Sequence, residues 1–199
     1  MSIFVVRHGE TDLNAARIVQ LPETPLSARG IAQAERVAQR LARGGIARIV
    51  SSDLARAAMT ATRIARAAGV PVEHDALLRE RDFGAIRGTP YAALDHDIFA
   101  PDYVPPGGES WDAFRARVAD AWARITDLAT RTPGHLAVVT HGLVCHVILE
   151  RHVRCAEPAP ASWPNTSVTE IDAAAPWTVR TLNCVAHLDG PDVAAGSLV

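Results

Sequence analysis

Two short apolar runs, each followed by histidine and glycine, dominate the pattern of hydrophobic and polar positions along the chain. The first run, Ile-Phe-Val-Val at residues 3–6, stops at Arg7-His8-Gly9. The second, Leu-Ala-Val-Val at residues 136–139, stops at Thr140-His141-Gly142. Uninterrupted apolar runs of this length are typical of strands buried on both faces of a parallel sheet. Because ligands of open α/β sheets bind at the carboxyl ends of strands, the pattern predicts that two imidazoles meet over one pocket.

The remaining apolar positions alternate between helical and strand spacing. Ser27 is a suitable N-cap for a helix that Gly44-Gly45 would end. The further predicted elements are a strand at 46–50, helices at 54–68, 109–130 and 143–152, and a closing hairpin at 168–171 and 178–182. On the helix predicted at 54–68, the positions expected to face inward are Leu54, Ala58, Ala61, Ile64 and Ala65. This alternation predicts an α/β fold.

The chain length and the distribution of breaking residues predict one domain. At 199 residues the chain is long enough to bury a sizeable core, and the predicted domain spans residues 1–199. Residues 83–108 hold most of the short-range breakers, and we expect them to form a small, partly helical cap beside the pocket. The tail after Gly190 is predicted to be loose.

Composition and charge describe an ordinary soluble protein. Apolar residues make up 48% of the chain and the net charge is −2. There is no excess of basic residues, so the composition does not indicate a nucleic-acid partner. The apolar stretches are too short to span a bilayer, and the N-terminus lacks the features of a secretory signal. Three cysteines, without Cys-x-x-Cys spacing, favour reduced thiols in a cytoplasm. The oligomeric state is left open.

Six ordered segments, which span almost the whole chain, resemble the motifs of the histidine phosphatase superfamily, the phosphoglycerate mutase-like enzymes. The segments are residues 7–11 (Arg-His-Gly-Glu-Thr) with Asn14, residues 25–30 with Gln33-Ala34, residues 51–57 with Thr60-Ala61, Leu78-Arg79-Glu80 with Phe83-Gly84 and Gly88, residues 107–110, and Thr140-His141-Gly142. The resemblance implies a three-layer α/β/α fold with a mostly parallel central sheet. It also implies phosphoryl transfer through a phosphohistidine, without a cofactor.

The two strand-end histidines have distinct expected roles. The resemblance makes His8 the nucleophile, and neutral imidazole is available for attack near pH 7. His141 is expected to donate hydrogen bonds to the phosphoryl oxygens. Glu10, two residues beyond His8, is a candidate to orient the nucleophile.

A transferring phosphoryl group also needs a cationic cradle. Arginine forks match phosphate oxygens two at a time, and the candidates are Arg7, beside the nucleophile, and Arg56, near a helix N-terminus that follows a strand. Asn14 is expected to add an amide donor. Glycine at positions 9 and 142 would let the backbone approach closely.

Glu80 is the expected proton donor and acceptor. An alkoxide is a poor leaving group, so its protonation contributes typically about two to four orders of magnitude. From its neighbours alone Glu80 would be an exposed glutamate in a charged run, and the resemblance reverses that interpretation. Two imidazoles and a carboxylate also suit zinc, but arginines in the same cradle would repel a cation, so no metal is expected.

Several positions depart from the pattern of the family, and they bear on the substrate. They are Leu21, Met59, Ile86-Arg87 and His146. Substrate is expected to enter beside Ile86, Ile98, Phe99 and Tyr103 if the cap closes the pocket.

The stretch between Glu80 and His141 is short, whereas true mutases carry an insertion there, and the C-terminal pattern beginning at Asn165 resembles the phosphatase branch. The favoured function is therefore a phosphomonoesterase acting on a small phosphorylated metabolite. A cofactor-dependent phosphoglycerate mutase, a phosphoprotein phosphatase and a low-turnover phosphate-binding regulator remain open.

Overall fold

A computed structural model describes residues 1–189 of the chain, so the tail predicted to be loose lies outside the described residues. The strands are β1 (Ser2–Arg7), β2 (Ile46–Ser51), β3 (Val72–His74), β4 (His135–Thr140), β5 (Val168–Asp172) and β6 (Val179–Cys184). The helices are α1 (Asp12–Ala15), α2 (Ala28–Ala42), α3 (Ala55–Ala68), α4 (Trp111–Thr130) and α5 (Gly142–Arg151). The predicted strands, long helices and closing hairpin are confirmed within a few residues, and the short elements β3 and α1 were not predicted.

The strands form one mixed sheet in the order β3-β2-β4-β1-β5-β6. The four strands from β3 to β1 run parallel, while β5 and β6 add an antiparallel edge. The carboxyl ends of β1, β2 and β4 therefore meet at the same edge of the sheet. This arrangement is the three-layer α/β/α fold with a mostly parallel sheet that the sequence predicts.

Helices cover both faces of the sheet, which explains why its central strands are apolar without interruption. Ile3 and Val5 pack in one core cluster with side chains of α4 and α5. Val6, with Phe4 at its margin, packs in the other cluster with α2 and α3. Successive residues of a strand point to opposite faces, so both faces of β1 must be apolar.

The inner face of α3 differs from the prediction. The helix begins at Ala55, with Leu54 as its N-cap, and its buried positions are Arg56, Ala57, Thr60, Ala61 and Ile64. The buried Thr60 hydroxyl has its hydrogen-bond partners within the protein, because it donates to the Arg56 carbonyl (2.8 Å) and accepts from Gly9 N–H (3.1 Å). Of the positions predicted to face inward, Ala61 and Ile64 are buried and Ala65 packs against the core cluster, whereas Leu54 and Ala58 are only partly buried.

Gly9 is required by a close approach of two backbones. A Cβ atom at position 9 would lie 2.5 Å from the carbonyl oxygen of Gly30, at the start of α2. The contact packs the loop after β1 against that helix. The close approach expected at Gly9 is thus made to the protein backbone.

The predicted cap segment contains two 3₁₀ turns, Gly84–Ile86 and Tyr91–Ala93. Its backbone is joined to the loop after α1, since Gly88 N–H donates to the Val19 carbonyl (2.7 Å) and Val19 N–H donates to the Thr89 carbonyl (3.0 Å). No helix within residues 1–189 is long and apolar enough to cross a membrane.

Candidate active site

The register of two neighbouring strands brings the two motif histidines together. Arg7 at the end of β1 lies opposite Thr140 at the end of β4, so the residues that follow, His8 and His141, are also adjacent. Their ring centroids are 5.1 Å apart. Both side chains are buried, with 2% and 0% of their surface exposed.

The hydrogen bond of His8 determines which nitrogen is free to react. Nδ1 lies 2.7 Å from the carbonyl oxygen of Gly9, which can only accept, so Nδ1 carries the proton and Nε2 keeps its lone pair. Burial, with Arg56 and Arg7 nearby, lowers the pKa of His8 well below its usual value. The imidazole is therefore neutral near pH 7 and can act as a nucleophile through Nε2.

His141 is held by Ser52, a residue that the sequence analysis did not single out for a role. His141 Nε2 lies 2.8 Å from the Ser52 hydroxyl oxygen, which also accepts from Leu54 N–H (3.3 Å). Within residues 1–189, Nδ1 of His141 has no hydrogen-bond partner. Burial, followed by the charge of Arg56, lowers the pKa of His141 well below its usual value. A neutral ring has one N–H, so His141 can supply at most one donor to a phosphoryl group.

Two buried guanidinium groups give the site its positive charge. Arg7 and Arg56 are 5% and 3% exposed. Arg7 donates to the Trp163 carbonyl, and Arg56 donates to the Leu21 carbonyl (3.0 Å). Burial lowers the pKa of Arg7, and it lowers the pKa of Arg56 to about 10. Guanidinium groups bind the oxygens of phosphate and carboxylate groups in pairs, so two of them in one place suit a site for an anion.

The Glu80 carboxylate lies at the N-terminus of α5. Its two oxygens accept from the backbone N–H groups of Arg81 (3.0 Å) and Leu143 (3.2 Å). Burial raises the pKa of Glu80, although those two donors and the charges of Arg56 and Arg7 oppose the change. A carboxyl group with a raised pKa suits a proton donor.

The interpretation of Glu80 as one partner of a surface ion pair does not fit the structure. The neighbouring Arg79 pairs with Asp53 instead. Arg117 of α4 holds the backbone before and at Glu80, since it donates to the carbonyls of Leu77 and Arg79 (both 2.8 Å) and of Glu80 (3.3 Å).

Glu10 does not orient the nucleophile as the sequence suggested. Its carboxylate accepts from the Ser27 hydroxyl (3.0 Å) and pairs with Arg29 (3.2 Å). Both partners belong to the start of α2. Glu10 therefore stabilises the packing of the loop after β1 against that helix, and the Gly9 carbonyl fixes the His8 ring.

Asn165 is a second residue to which the sequence analysis assigned no role. Its Nδ2 donates to the His8 carbonyl (3.1 Å) and lies 3.4 Å from Asn14 Oδ1. The His8 carbonyl also accepts from Thr166 N–H (3.2 Å). Since Asn165 contacts the oxygen of the Asn14 amide, the Asn14 NH₂ group is available to a ligand. The sequence pattern beginning at Asn165 was noted as a mark of the phosphatase branch, but spacing alone could not place it beside His8.

Asn165→Asp should lower kcat/KM by about tenfold to a hundredfold, the scale of losing donors to buried acceptors. A carboxylate cannot donate to the His8 carbonyl or to Asn14 Oδ1, and its negative charge would oppose an anionic substrate. Steady-state kinetics and thermal unfolding would be measured together. An unchanged kcat/KM, or a loss explained entirely by unfolding at the assay temperature, would contradict this positioning role.

One cavity of about 580 Å³ holds most of these groups. Arg7, His8, Asn14, Arg56, Glu80 and Gly142 all line it, and His141 is buried beside His8. A Cβ atom at Gly142 would lie 3.7 Å from Arg7 Nε. The structure thus brings together every residue that the sequence analysis proposed for catalysis or phosphate binding.

The prediction of where substrate enters the cavity is only partly correct. Of the four proposed residues only Phe99 lines the cavity. Ile98 is 2% exposed and packs with Val19 and Phe83, while Ile86 and Tyr103 pack against that cluster. Residues 159–163, which lack any regular pattern in the sequence, also line the cavity. Among residues 1–189, no group of three or more His, Cys, Asp or Glu side chains is arranged to hold a metal ion.

Comparison with known proteins identifies relatives of the chain by sequence and by structure. The sequence profile of the histidine phosphatase superfamily (branch 1) matches residues 3–184. A Salmonella paratyphi B protein named probable phosphoglycerate mutase GpmB is 32% identical over 96% of each chain. The structure of a mycobacterial glucosyl-3-phosphoglycerate phosphatase in complex with VO3 is 26% identical, with a TM-score of 0.80 over 92% of this chain and 99% of that one. Bacillus stearothermophilus YhfR is 27% identical, with a TM-score of 0.81 over 94% and 98%. The chain belongs to branch 1 of the histidine phosphatase superfamily.

Proposed function

We propose that the protein is a phosphomonoesterase that hydrolyses small phosphate esters through a phosphohistidine at His8. The observation that carries this proposal is the arrangement around one cavity of a neutral His8, whose Nε2 keeps its lone pair, and two buried arginines. Glu80, with its raised pKa, lines the same cavity.

The proposed first step transfers the phosphoryl group to the protein. The Nε2 lone pair of His8 attacks phosphorus, and the bond from phosphorus to the ester oxygen breaks. That oxygen takes the proton of the Glu80 carboxyl group and leaves as an alcohol. Arg7, Arg56, His141 and the Asn14 amide would bind the phosphoryl oxygens as charge accumulates on them. The phosphate dianion raises the Glu80 pKa further, which keeps the acid protonated when substrate is bound.

The proposed second step returns the enzyme to its starting state. The Glu80 carboxylate removes a proton from water, whose oxygen attacks the phosphohistidine. The phosphorus–nitrogen bond breaks, its electrons return to Nε2, and inorganic phosphate leaves. The same carboxylate thus serves as acid and then as base.

A mutase is the second candidate, because the Salmonella relative carries that name. The deciding experiment follows 3-phosphoglycerate by NMR, with and without 2,3-bisphosphoglycerate, beside a panel of phosphate esters and phosphopeptides. A phosphatase should release inorganic phosphate from esters without the bisphosphate. Formation of 2-phosphoglycerate that outpaces hydrolysis would favour the mutase, and preference for phosphopeptides would favour a phosphoprotein phosphatase. Binding without turnover would indicate a regulator.

We expect activity to survive exhaustive chelation, because Arg7 and Arg56 supply the positive charge that a divalent metal supplies in other phosphatases. Hydrolysis of p-nitrophenyl phosphate would be compared before and after dialysis against EDTA. Vanadate should inhibit, since it mimics the transferring phosphoryl group and the mycobacterial relative is known with VO3 bound. Loss of activity that one specific divalent ion restores would contradict the arginine-based site.

We propose that the cap at residues 83–108 belongs to one domain of residues 1–199 and closes one side of the cavity. The cytoplasm is the proposed compartment, because Cys145, Cys155 and Cys184 are all free thiols. The proposed partner is a small phosphorylated metabolite, with no cofactor.

A further inference from the structure

The cavity is far larger than a phosphoryl group requires. Its volume of about 580 Å³ lies within the range of pockets that enclose whole small molecules. Arg7, His8 and Arg56 account for the phosphoryl end. The rest of the lining is called the outer cavity here. Its side chains are largely aromatic and aliphatic and include Phe83, Tyr91, Phe99, Trp111, Leu143 and Pro160.

Three aromatic rings form a continuous wall on the cap side. The Phe83 and Phe99 rings meet edge to face with centroids 6.3 Å apart, and the Tyr91 and Phe99 rings are 6.2 Å apart. Phe99 remains 40% exposed, although large hydrophobic side chains are otherwise well covered in the described part of the chain, apart from Met1 and Val104. An exposed aromatic ring at a cavity is a surface on which an apolar group gains by burial.

The arginines outside the phosphoryl end are already engaged by the protein. Arg81 donates through all three of its nitrogens, to the carbonyls of Glu109 (3.0 Å), Ile98 (3.1 Å) and Tyr103 (2.6 Å). Its guanidinium carbon lies 4.3 Å from the centroid of the Trp111 ring. Arg81 therefore fastens the cap and is not available to a carboxylate of the substrate.

Arg87 is the remaining arginine on the lining, and it pairs with Asp82 at 2.7 Å. The ion pair offsets the charge of Arg87, so among the described residues each arginine that lines the cavity beyond the phosphoryl end has a protein partner. His146 also lines this part of the cavity and can hydrogen bond a hydroxyl group.

We infer that the substrates are monophosphate esters of uncharged alcohols that carry an apolar ring, and that the outer cavity lacks a site for a second anionic group. The inference rests on the proposed phosphomonoesterase function and narrows its substrate class. Phosphoglycerates have a carboxylate and no ring, so they should be poor substrates. An aromatic or alicyclic ring would pack against Phe99 and the other apolar side chains that line the cavity.

The test compares primary alkyl phosphates, whose leaving groups are of similar basicity. We expect kcat/KM for 2-phenylethyl phosphate to exceed that for propyl phosphate by about tenfold to a hundredfold, the discrimination typical of an apolar pocket. 2-Cyclohexylethyl phosphate should also exceed propyl phosphate, and 3-phosphoglycerate should fall at or below it. A flat profile, or 3-phosphoglycerate as the best substrate, would overturn the inference.

Three variants test whether the outer cavity sets the preference. Phe99→Ala should reduce kcat/KM for 2-phenylethyl phosphate about tenfold more than it reduces kcat/KM for propyl phosphate, while Phe99→Leu, which keeps apolar area, should retain part of the preference. Arg87→Gln should leave the ratio of these two kcat/KM values unchanged. If Arg87→Gln selectively lowered kcat/KM for 3-phosphoglycerate by tenfold or more, Arg87 would bind a second anion and the inference would be wrong.

The assay separates failure of this inference from failure of the proposed function. Hydrolysis of p-nitrophenyl phosphate and propyl phosphate, without any gain from a ring, would leave a phosphatase and reject the apolar outer site. Absence of hydrolysis for every ester, with folded protein, would reject both.

Discussion

The His8→Ala variant is expected to lose at least about a thousandfold in kcat/KM on every phosphate ester, on the scale of removing a catalytic nucleophile. Nδ1 of His8 carries the proton and Nε2 keeps the lone pair that the proposed attack uses, whereas Nε2 of His141 lies against the Ser52 hydroxyl. Without His8 no phosphorus–nitrogen bond can form. Radioactive phosphate from the substrate should therefore no longer appear on the protein in an acid-labile, base-stable form.

Controls distinguish loss of the nucleophile from loss of the fold. His8→Asn retains a donor that can reach the Gly9 carbonyl and should be as inactive as the alanine variant, with a thermal midpoint nearer to that of the wild type. His74→Ala removes an exposed imidazole at the end of β3 and should change neither turnover nor labelling. Labelling retained in both His8 variants would identify another residue as the nucleophile.

Glu80→Gln is expected to reduce kcat/KM for alkyl phosphates by about a hundredfold or more, and for an aryl phosphate clearly less. An alkoxide is strongly basic and needs a proton as it leaves, whereas nitrophenolate is stable without one. Glutamine fills the same space and can still accept one of the two backbone hydrogen bonds that Glu80 accepts from Arg81 and Leu143. Any effect of the substitution on phosphate binding is shared by the alkyl and aryl esters, so it cancels in the ratio of the two losses in kcat/KM.

The parameter kcat/KM is the suitable one, since it reports the first phosphoryl transfer even when release of phosphate from His8 limits kcat. Equal losses on the alkyl and aryl esters would mean that Glu80 positions groups without donating a proton. Asp82 and His141 would then be the next candidates for the donor.

The pH profile offers a second measure of the same role. Burial raises the Glu80 pKa, and the protonated form is the active one, so kcat/KM for alkyl phosphates should fall as pH rises through that pKa. Burial and the two arginines lower the His8 pKa, so protonation of the nucleophile should limit the reaction only on the acid side. In Glu80→Gln the alkaline limb assigned to Glu80 should be absent.

The apolar strand patterns identified the centre of the site. Strands that are buried on both faces of a sheet have uninterrupted apolar sequences, which are easy to recognise. The runs before His8 and His141 predicted two parallel strands, and their pairing in register confirms the strands and explains the proximity of the rings. Arg56 was predicted from its position near a helix N-terminus that follows a strand, whereas the role of Glu80 depended on the family resemblance. Sequence alone would have left Glu80 on the surface.

The errors arise where tertiary contacts override local spacing. Glu10 is adjacent to the motif but turns towards Ser27 and Arg29, which no periodicity encodes. The inner face of α3 also buries Arg56 and Thr60, which apolar spacing does not predict; the Thr60 hydroxyl finds both of its partners in backbone groups. Ser52 and Asn165 contact groups far away in sequence, so their roles become visible only when the sheet is assembled.

The pairing of β1 with β4 also bears on how the protein acquires activity. His8 and His141 lie 133 residues apart in the sequence, and the strands that precede them pair residues such as Val5 and Val138. Contacts between residues so distant in sequence require closure of a long loop, and they form late and slowly compared with local helices. A partly folded or truncated chain that retains native-like helices would therefore lack the phosphoryl-binding end altogether, which makes turnover a sensitive signal that the central sheet is complete.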